Sequence, residues 1–200
     1  MSAPLILASA SPRRLELLAQ IGITPNLVLP ADINEDPYKD EKPLDYVERM
    51  GYGKAKVIAD DHPGHFIIGA DTAVICGHQI LPKAEDIDTA HACIKKLSGR
   101  RHRVYGGLCI FAPNGKAIKK TVQSLVQFKR LSQNEIDAYL ASKEWDGKAG
   151  GYAIQGLAAA YIKQISGSYT NIVGLPLFET KQILTGLGYG CTRTNSCRED

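Results

Sequence analysis

The sequence predicts an α/β protein with a mixed sheet, and three observations carry that expectation. Short apolar runs alternate with helical patterns in the first half of the chain, and two long β-rich runs joined by a tight turn follow. Of the 200 residues, 44% are hydrophobic and 22% charged, the composition of an ordinary soluble globular protein. A single domain over residues 1–189 is expected, with 190–200 a polar tail that should fray.

Leu5 to Ala8 is wholly apolar, as a strand buried on both faces would be. A helix follows, with Ser11 as cap, Pro12 at its first position, Leu15, Leu17, Leu18 and Ile21 as its apolar face and Gly22 as its stop. Pro43 opens a second helix, Leu44 to Ala59, which carries Tyr46, Val47, Met50 and Val57 and is weakened by Gly51 and Gly53. Phe66 to Gly69 reads as another strand that delivers Asp71 and Thr72 at its end; Ala73 to Cys76 and Gln79 to Leu81 then make a hairpin about Gly77-His78. Asp86 to Leu97 is a third helix, stopped by Ser98-Gly99. Arg103 to Phe111 and Ala117 to Phe128 form a long antiparallel pair about Ala112-Pro113-Asn114-Gly115. Ser132 with Glu135 is a capping box for a helix to Ala141. Lys148 to Gly156 is too rich in glycine to be regular, Ala159 to Ile165 reads as a strand, and Leu177 to Leu187 is a final helix ended by Gly188.

Charge and cysteine usage narrow the function. Lys and Arg number 24 against 21 Asp and Glu, so the formal charge of +3 gives little grip on nucleic acid. The segment Met1 to Ser9 lacks the basic start of a secretion signal, and no apolar stretch is long enough to span a bilayer. Five cysteines, an odd number with no Cys-x-x-Cys spacing, argue against a disulfide framework and a structural zinc site; a reducing cytoplasm fits.

Candidate chemistry lies at several separated positions. Ser9-Ala10-Ser11-Pro12-Arg13-Arg14 is a strand-to-helix turn whose free N–H groups and dipole favour an anion, and arginine suits bidentate phosphate contact; a capped surface helix with two solvated arginines is an equal reading. Asp71-Thr72, at a strand end, offers a carboxylate to bind a metal or take a proton from water, or merely to cap a turn. Lys54 and Lys83 can each neutralise a polyphosphate, though taken singly each reads better as a solvated lysine. Glu35 lies in an acidic loop with Asp32, Asp36, Asp40 and Glu41. The basic run Arg100 to Arg103 reads first as cations at a helix C-terminus, and only second as a nucleic-acid contact.

Together these segments resemble the Maf family of nucleotide pyrophosphatases, from Leu5 to about Gly188. The resemblance rests on Ala8-Ser9-Ala10-Ser11-Pro12-Arg13-Arg14, on Gly69-Ala70-Asp71-Thr72, on Gly150-Gly151-Tyr152-Ala153-Ile154-Gln155-Gly156, and on Gly167-Ser168-Tyr169-Thr170-Asn171-Ile172-Val173-Gly174-Leu175-Pro176-Leu177. It implies a Maf/ITPase-like fold of two lobes about a long, curved mixed sheet with a substrate cleft between them. It implies hydrolysis of a nucleoside triphosphate to monophosphate and pyrophosphate, with a divalent cation, Mg²⁺ or Mn²⁺, and a homodimeric state. Asp71 matches the catalytic proton acceptor, Glu35 and Asp71 the metal positions, and Lys54 and Lys83 the phosphate positions. Ser9, Ser11 and Arg13 fall in the substrate-binding turn, while Arg13, Thr72 and Gln155 match the subgroup acting on dTTP and UTP. The chain departs from the family pattern in Pro82 and Ala84 around Lys83 and in Gly106 at a usual Thr position. The alternative function is a nucleotide-binding regulator of septum formation without significant turnover.

Overall fold

The computed structural model describes residues 3–190, so the expected tail beyond residue 190 lies outside the described residues. Nine strands and six α-helices alternate as β1 (Leu5–Ala8), α1 (Pro12–Gln20), β2 (Leu27–Val28), α2 (Pro43–Asp61), β3 (Phe66–Cys76), β4 (Gln79–Leu81), β5 (Lys83–Ala84), α3 (Ile87–Leu97), β6 (Arg101–Phe111), β7 (Ala117–Phe128), α4 (Gln133–Ala141), β8 (Lys148–Ala149), β9 (Ile162–Ser166), α5 (Tyr169–Val173) and α6 (Leu177–Gly186). Seven strands form one mixed sheet in the order β2-β1-β3-β6-β7-β9, with β4 paired to β3, and β5 pairs separately with β8. β1 runs parallel to both of its neighbours, whereas β3, β6, β7 and β9 are successively antiparallel.

The alternation of strand side chains explains the two apolar layers. In β1, Leu5 and Leu7 join the main core with Leu17 and Leu18 of α1, while Ile6 and Ala8 join a smaller cluster with Ala55 and Ile58 of α2. All four β1 residues are fully buried, as a strand covered on both faces requires.

α2 lies unusually close to the sheet. A Cβ at Gly107 of β6 would be 1.8 Å from the Val47 carbonyl oxygen, and one at Gly51 of α2 would be 2.7 Å from the Gly107 carbonyl oxygen. Glycine here is therefore a condition of packing rather than the helix weakness expected from propensity, and α2 runs unbroken for 19 residues across it.

Several sequence expectations are corrected. β3 is one continuous strand of 11 residues, so Asp71 and Thr72 lie in its middle and not at its end. The polar pair does not break the strand because its main chain stays in the ladder, with Asp71 opposite Gly107 and Thr72 opposite Gly106. Ser11 precedes α1 but its side chain makes no capping bond, and Leu15 and Val57 are exposed. Arg101 to Arg103 begin β6 rather than complementing a helix end, and His102 between them is buried; the cations in the last turn of α3 are Lys95 and Lys96. The glycine-rich stretch contains β8, and the expected strand from Ala159 is a 3-10 turn, Leu157–Tyr161, leading into β9. The short β2 and α5 carry too few residues to show a period. The β6–β7 hairpin and the Ser132–Glu135 capping box form as expected. Cys76, Cys93 and Cys109 are buried free thiols, and no described helix is long and apolar enough to cross a membrane.

Candidate active site

All nine residues singled out from the sequence, Ser9, Ser11, Arg13, Glu35, Lys54, Asp71, Thr72, Lys83 and Gln155, line one cleft of about 830 Å³. The β1–α1 turn, the middle of β3, the acidic loop, the β5–β8 pair and the α5–α6 connection form its walls.

Three charged residues of the cleft lining are buried, Arg14, Lys54 and Asp71, and Lys54 joins two carboxylates. Its ammonium contacts Asp71 Oδ1 at 2.7 Å and Glu35 Oε1 at 2.8 Å. Lys54 and Asp71 are both buried, whereas more than half of the Glu35 side chain is exposed. The solvated reading of Lys54 is thus overturned by the close seating of α2, which brings its mid-helix side chain onto the β3 carboxylate. Removing one partner of such a buried pair typically costs about 3–5 kcal/mol, because the remaining charge is stranded.

Glu35 reaches this pair from an irregular, largely exposed loop that α2 holds by three devices. Tyr46 donates its hydroxyl to the Glu35 carbonyl at 3.0 Å. Arg49 grips Glu41 through both Nε and Nη2 at 2.7 Å and also donates to the Asp36 carbonyl at 3.0 Å. The same guanidinium stacks 3.9 Å over the Tyr38 ring. Burial, with the charges of Asp71 and Glu35, pushes the Tyr46 phenol up to about 12, so it remains a donor throughout the neutral range.

On the opposite face of β3, Thr72 and Arg14 approach the Gly174 carbonyl, Arg14 Nε at 2.9 Å and Thr72 Oγ1 at 3.5 Å. Arg14 Nη1 also donates to Ser9 Oγ at 2.9 Å, and Ser9 Oγ accepts from the Ser11 N–H at 3.1 Å. The buried serine and arginine therefore fix the β1–α1 turn, leaving Arg13 as its partly exposed cation. The sequence presents two adjacent arginines without distinguishing them; the helical period does so, since Arg14, Leu17 and Leu18 share the buried face.

The remaining wall is held from behind. Gly150 and Gly151 both have φ near +67°, which glycine alone adopts without strain, and they turn the chain beneath Tyr152. The Tyr152 hydroxyl lies 2.7 Å from His102 Nε2, and both residues are buried. Burial pulls the His102 imidazole down to about 4, so it is neutral at pH 7. Gln155 is exposed at the cleft, and Lys83, also exposed, has Glu85 at 3.7 Å. Sequence reasoning missed Tyr46 and Arg49, which read as ordinary residues of an amphipathic helix, and Lys148, hidden in the glycine-rich stretch.

Comparison with known proteins agrees with this arrangement of motifs. A family model described as Maf-like protein matches residues 4–187. The dTTP/UTP pyrophosphatase of Paramagnetospirillum magneticum is 59% identical over 187 residues, covering 94% of this chain and 98% of that protein. The dTTP/UTP pyrophosphatase of Rhodospirillum rubrum is 55% identical over 188 residues, covering 94% and 90%. Among solved structures, the Staphylococcus aureus Ham1 protein aligns over 62% of this chain and 71% of that one, at 13% identity and a TM-score of 0.45.

Proposed function

The chain belongs to the family of Maf-like proteins, and from that premise we propose that it hydrolyses dTTP and UTP to the monophosphate and pyrophosphate. The observation that carries the reading is the buried Asp71–Lys54 pair, with Glu35 on the same ammonium, in one cleft with Arg13, Lys83 and Gln155. A protein that only bound a triphosphate would gain from the cations but not from two carboxylates beside them. That consideration favours the enzyme over a regulator without turnover.

In the proposed reaction, a water oxygen forms a bond to the α-phosphorus and the bond from that phosphorus to the α,β-bridging oxygen breaks. Pyrophosphate leaves with the bonding electrons. Lys54 donates to Asp71 Oδ1, leaving Oδ2 to accept the proton of the attacking water. Arg13 and Lys83 offset charge on the phosphate oxygens, the main source of acceleration in phosphoryl transfer. Gln155 presents an amide donor and acceptor that complement the N3–H and O4 of uracil or thymine, and Thr72 lines the same pocket.

A divalent cation fits these residues only together with substrate. No cluster of three or more His, Cys, Asp or Glu forms among the described residues, but Glu35 and Asp71 both lie against the Lys54 ammonium, each with its second carboxylate oxygen outside that pair, and Mg²⁺ is characteristically held by one or two carboxylates plus substrate phosphates. When bound, Mg²⁺ or Mn²⁺ would supply Lewis-acid polarisation of the phosphate oxygens. We also propose a cytoplasmic homodimer with no nucleic-acid partner, consistent with the low net charge.

The test is kcat/KM for UTP, dTTP, CTP and GTP with Mg²⁺, in wild type and Gln155→Ala. UTP and dTTP are expected to be preferred in the wild type, with the preference over CTP reduced in the variant. Unchanged ratios would refute base reading by Gln155, and a preference for GTP would overturn the substrate assignment.

A further inference from the structure

We propose that Lys148 is a third phosphate-binding cation, which with Arg13 and Lys83 holds the two phosphates that leave as pyrophosphate. The inference rests on the triphosphate reading above and adds a residue and a subsite to it.

The β5–β8 ladder sets the two lysines on adjacent rungs, with side chains that leave opposite faces of the ladder and both line the cleft. Lys148 of β8 pairs with Ala84, adjacent in sequence to Lys83, and Lys83 pairs with Ala149. The backbone of Gly147, whose N–H donates to the Ala84 carbonyl at 2.8 Å, runs along the Lys83 stem, so that a Cβ at Gly147 would be 3.7 Å from Lys83 Cε. Both lysines and Arg13 line the cleft.

Lys148 has unused binding capacity. Its ammonium donates to the Asp146 carbonyl at 2.7 Å, which occupies one of three N–H groups. It is half-buried, and burial lowers its pKa, with the charge of Arg13 and then that of Lys83 adding to the effect. The three cations line one cleft, where Asp146 and Glu85 offset only part of their mutual repulsion, and pyrophosphate, with several charges on closely spaced oxygens, is the part of a triphosphate best able to engage all three. Such a subsite would favour the leaving group over the nucleoside monophosphate. The bond to Asp146 alone would instead make Lys148 a local brace of the turn before β8.

Isothermal titration of the full chain with inorganic pyrophosphate and, separately, with UMP, both in Mg²⁺, distinguishes the two roles. Lys148→Gln should weaken pyrophosphate binding by about tenfold or more, the scale of one lost charge-assisted hydrogen bond, while UMP affinity and Tm stay close to wild type. Lys148→Arg should recover most of the loss. Unchanged pyrophosphate affinity in Lys148→Gln, or equal weakening of pyrophosphate and UMP in both variants, would overturn the proposal. The readout does not depend on turnover: absence of UTP hydrolysis in the wild type would refute the proposed activity while leaving the role of Lys148 in pyrophosphate binding to be decided by titration.

Discussion

The two charged walls of the cleft are built in opposite ways. Asp71 and Lys54 lie buried where α2 rests directly on β3 and β6, so backbone packing dictates where the carboxylate stands. Arg13, Lys83 and Lys148 project from a helix start and a two-residue strand pair and are at least partly exposed. The difference teaches a division of labour. Under the proposed mechanism, the group that would hold one atom against a reacting water is fixed by packing, whereas the groups that would meet a flexible polyphosphate keep their side-chain freedom and act by charge.

The sharpest way to break the comparison is Asp71→Asn, which keeps the shape and removes the basicity. Turnover of UTP should fall by about 100- to 10,000-fold, the usual range for a lost general base, with the fold retained but Tm lowered, because Lys54 loses its buried partner and keeps only the exposed Glu35. A folded variant with near-normal kcat would make Asp71 structural. Gly107→Ala tests the packing itself. The added carbon meets the Val47 carbonyl, and such overpacking should cost about 3 kcal/mol, lowering Tm by roughly 6–12 °C; a calorimetric Tm unchanged from wild type would contradict the seating argument.

Acid should attack the opposite wall. Protonating His102 is easier in the unfolded chain, at its ordinary 6.5, than in the fold, where burial brings it to about 4. Its contribution is therefore fully present above pH 6.5 and lost as pH falls toward 4. Between pH 7 and pH 4.5, urea unfolding should show a stability loss roughly 2.5 kcal/mol larger in wild type than in His102→Gln, and equal losses would remove His102 from the account. The smallest effect is expected at the exposed loop bearing Glu35. Arg49→Met releases Glu41 and Tyr38, and kcat/KM for UTP should fall by about fivefold, matching roughly 1 kcal/mol for a partly exposed pair. Amide exchange at residues 32–41 should quicken in parallel; unaltered exchange would show that the clasp does not order the loop.

What the sequence made legible follows the same line. The β6–β7 hairpin and the Ser132 capping box are local patterns, carried by turn residues and by residues three apart, and both were readable within a residue or two. The sequence pattern breaks β3 at Asp71 because a carboxylate in an apolar strand looks like an end; its burial partner lies 17 residues earlier on α2 and leaves no local trace. Gly51 looked like a helix defect for the same reason, since what it accommodates belongs to another strand. Six of the nine candidate residues lie in three of the quoted motifs and Glu35, Lys54 and Lys83 lie outside them, and only the tertiary fold could bring all nine to one cleft or distinguish buried Arg14 from accessible Arg13. Lys148 stayed unseen because its meaning depends on pairing with β5, which two residues of strand cannot announce.

Hydrolysis of UTP in ¹⁸O-labelled water tests the central claim most directly, because it reports which phosphorus the water attacks. If Asp71 directs water to the α-phosphorus, mass spectrometry will find one ¹⁸O in UMP and none in the pyrophosphate released. Label in pyrophosphate, or in free phosphate with UDP as the other product, would contradict the account.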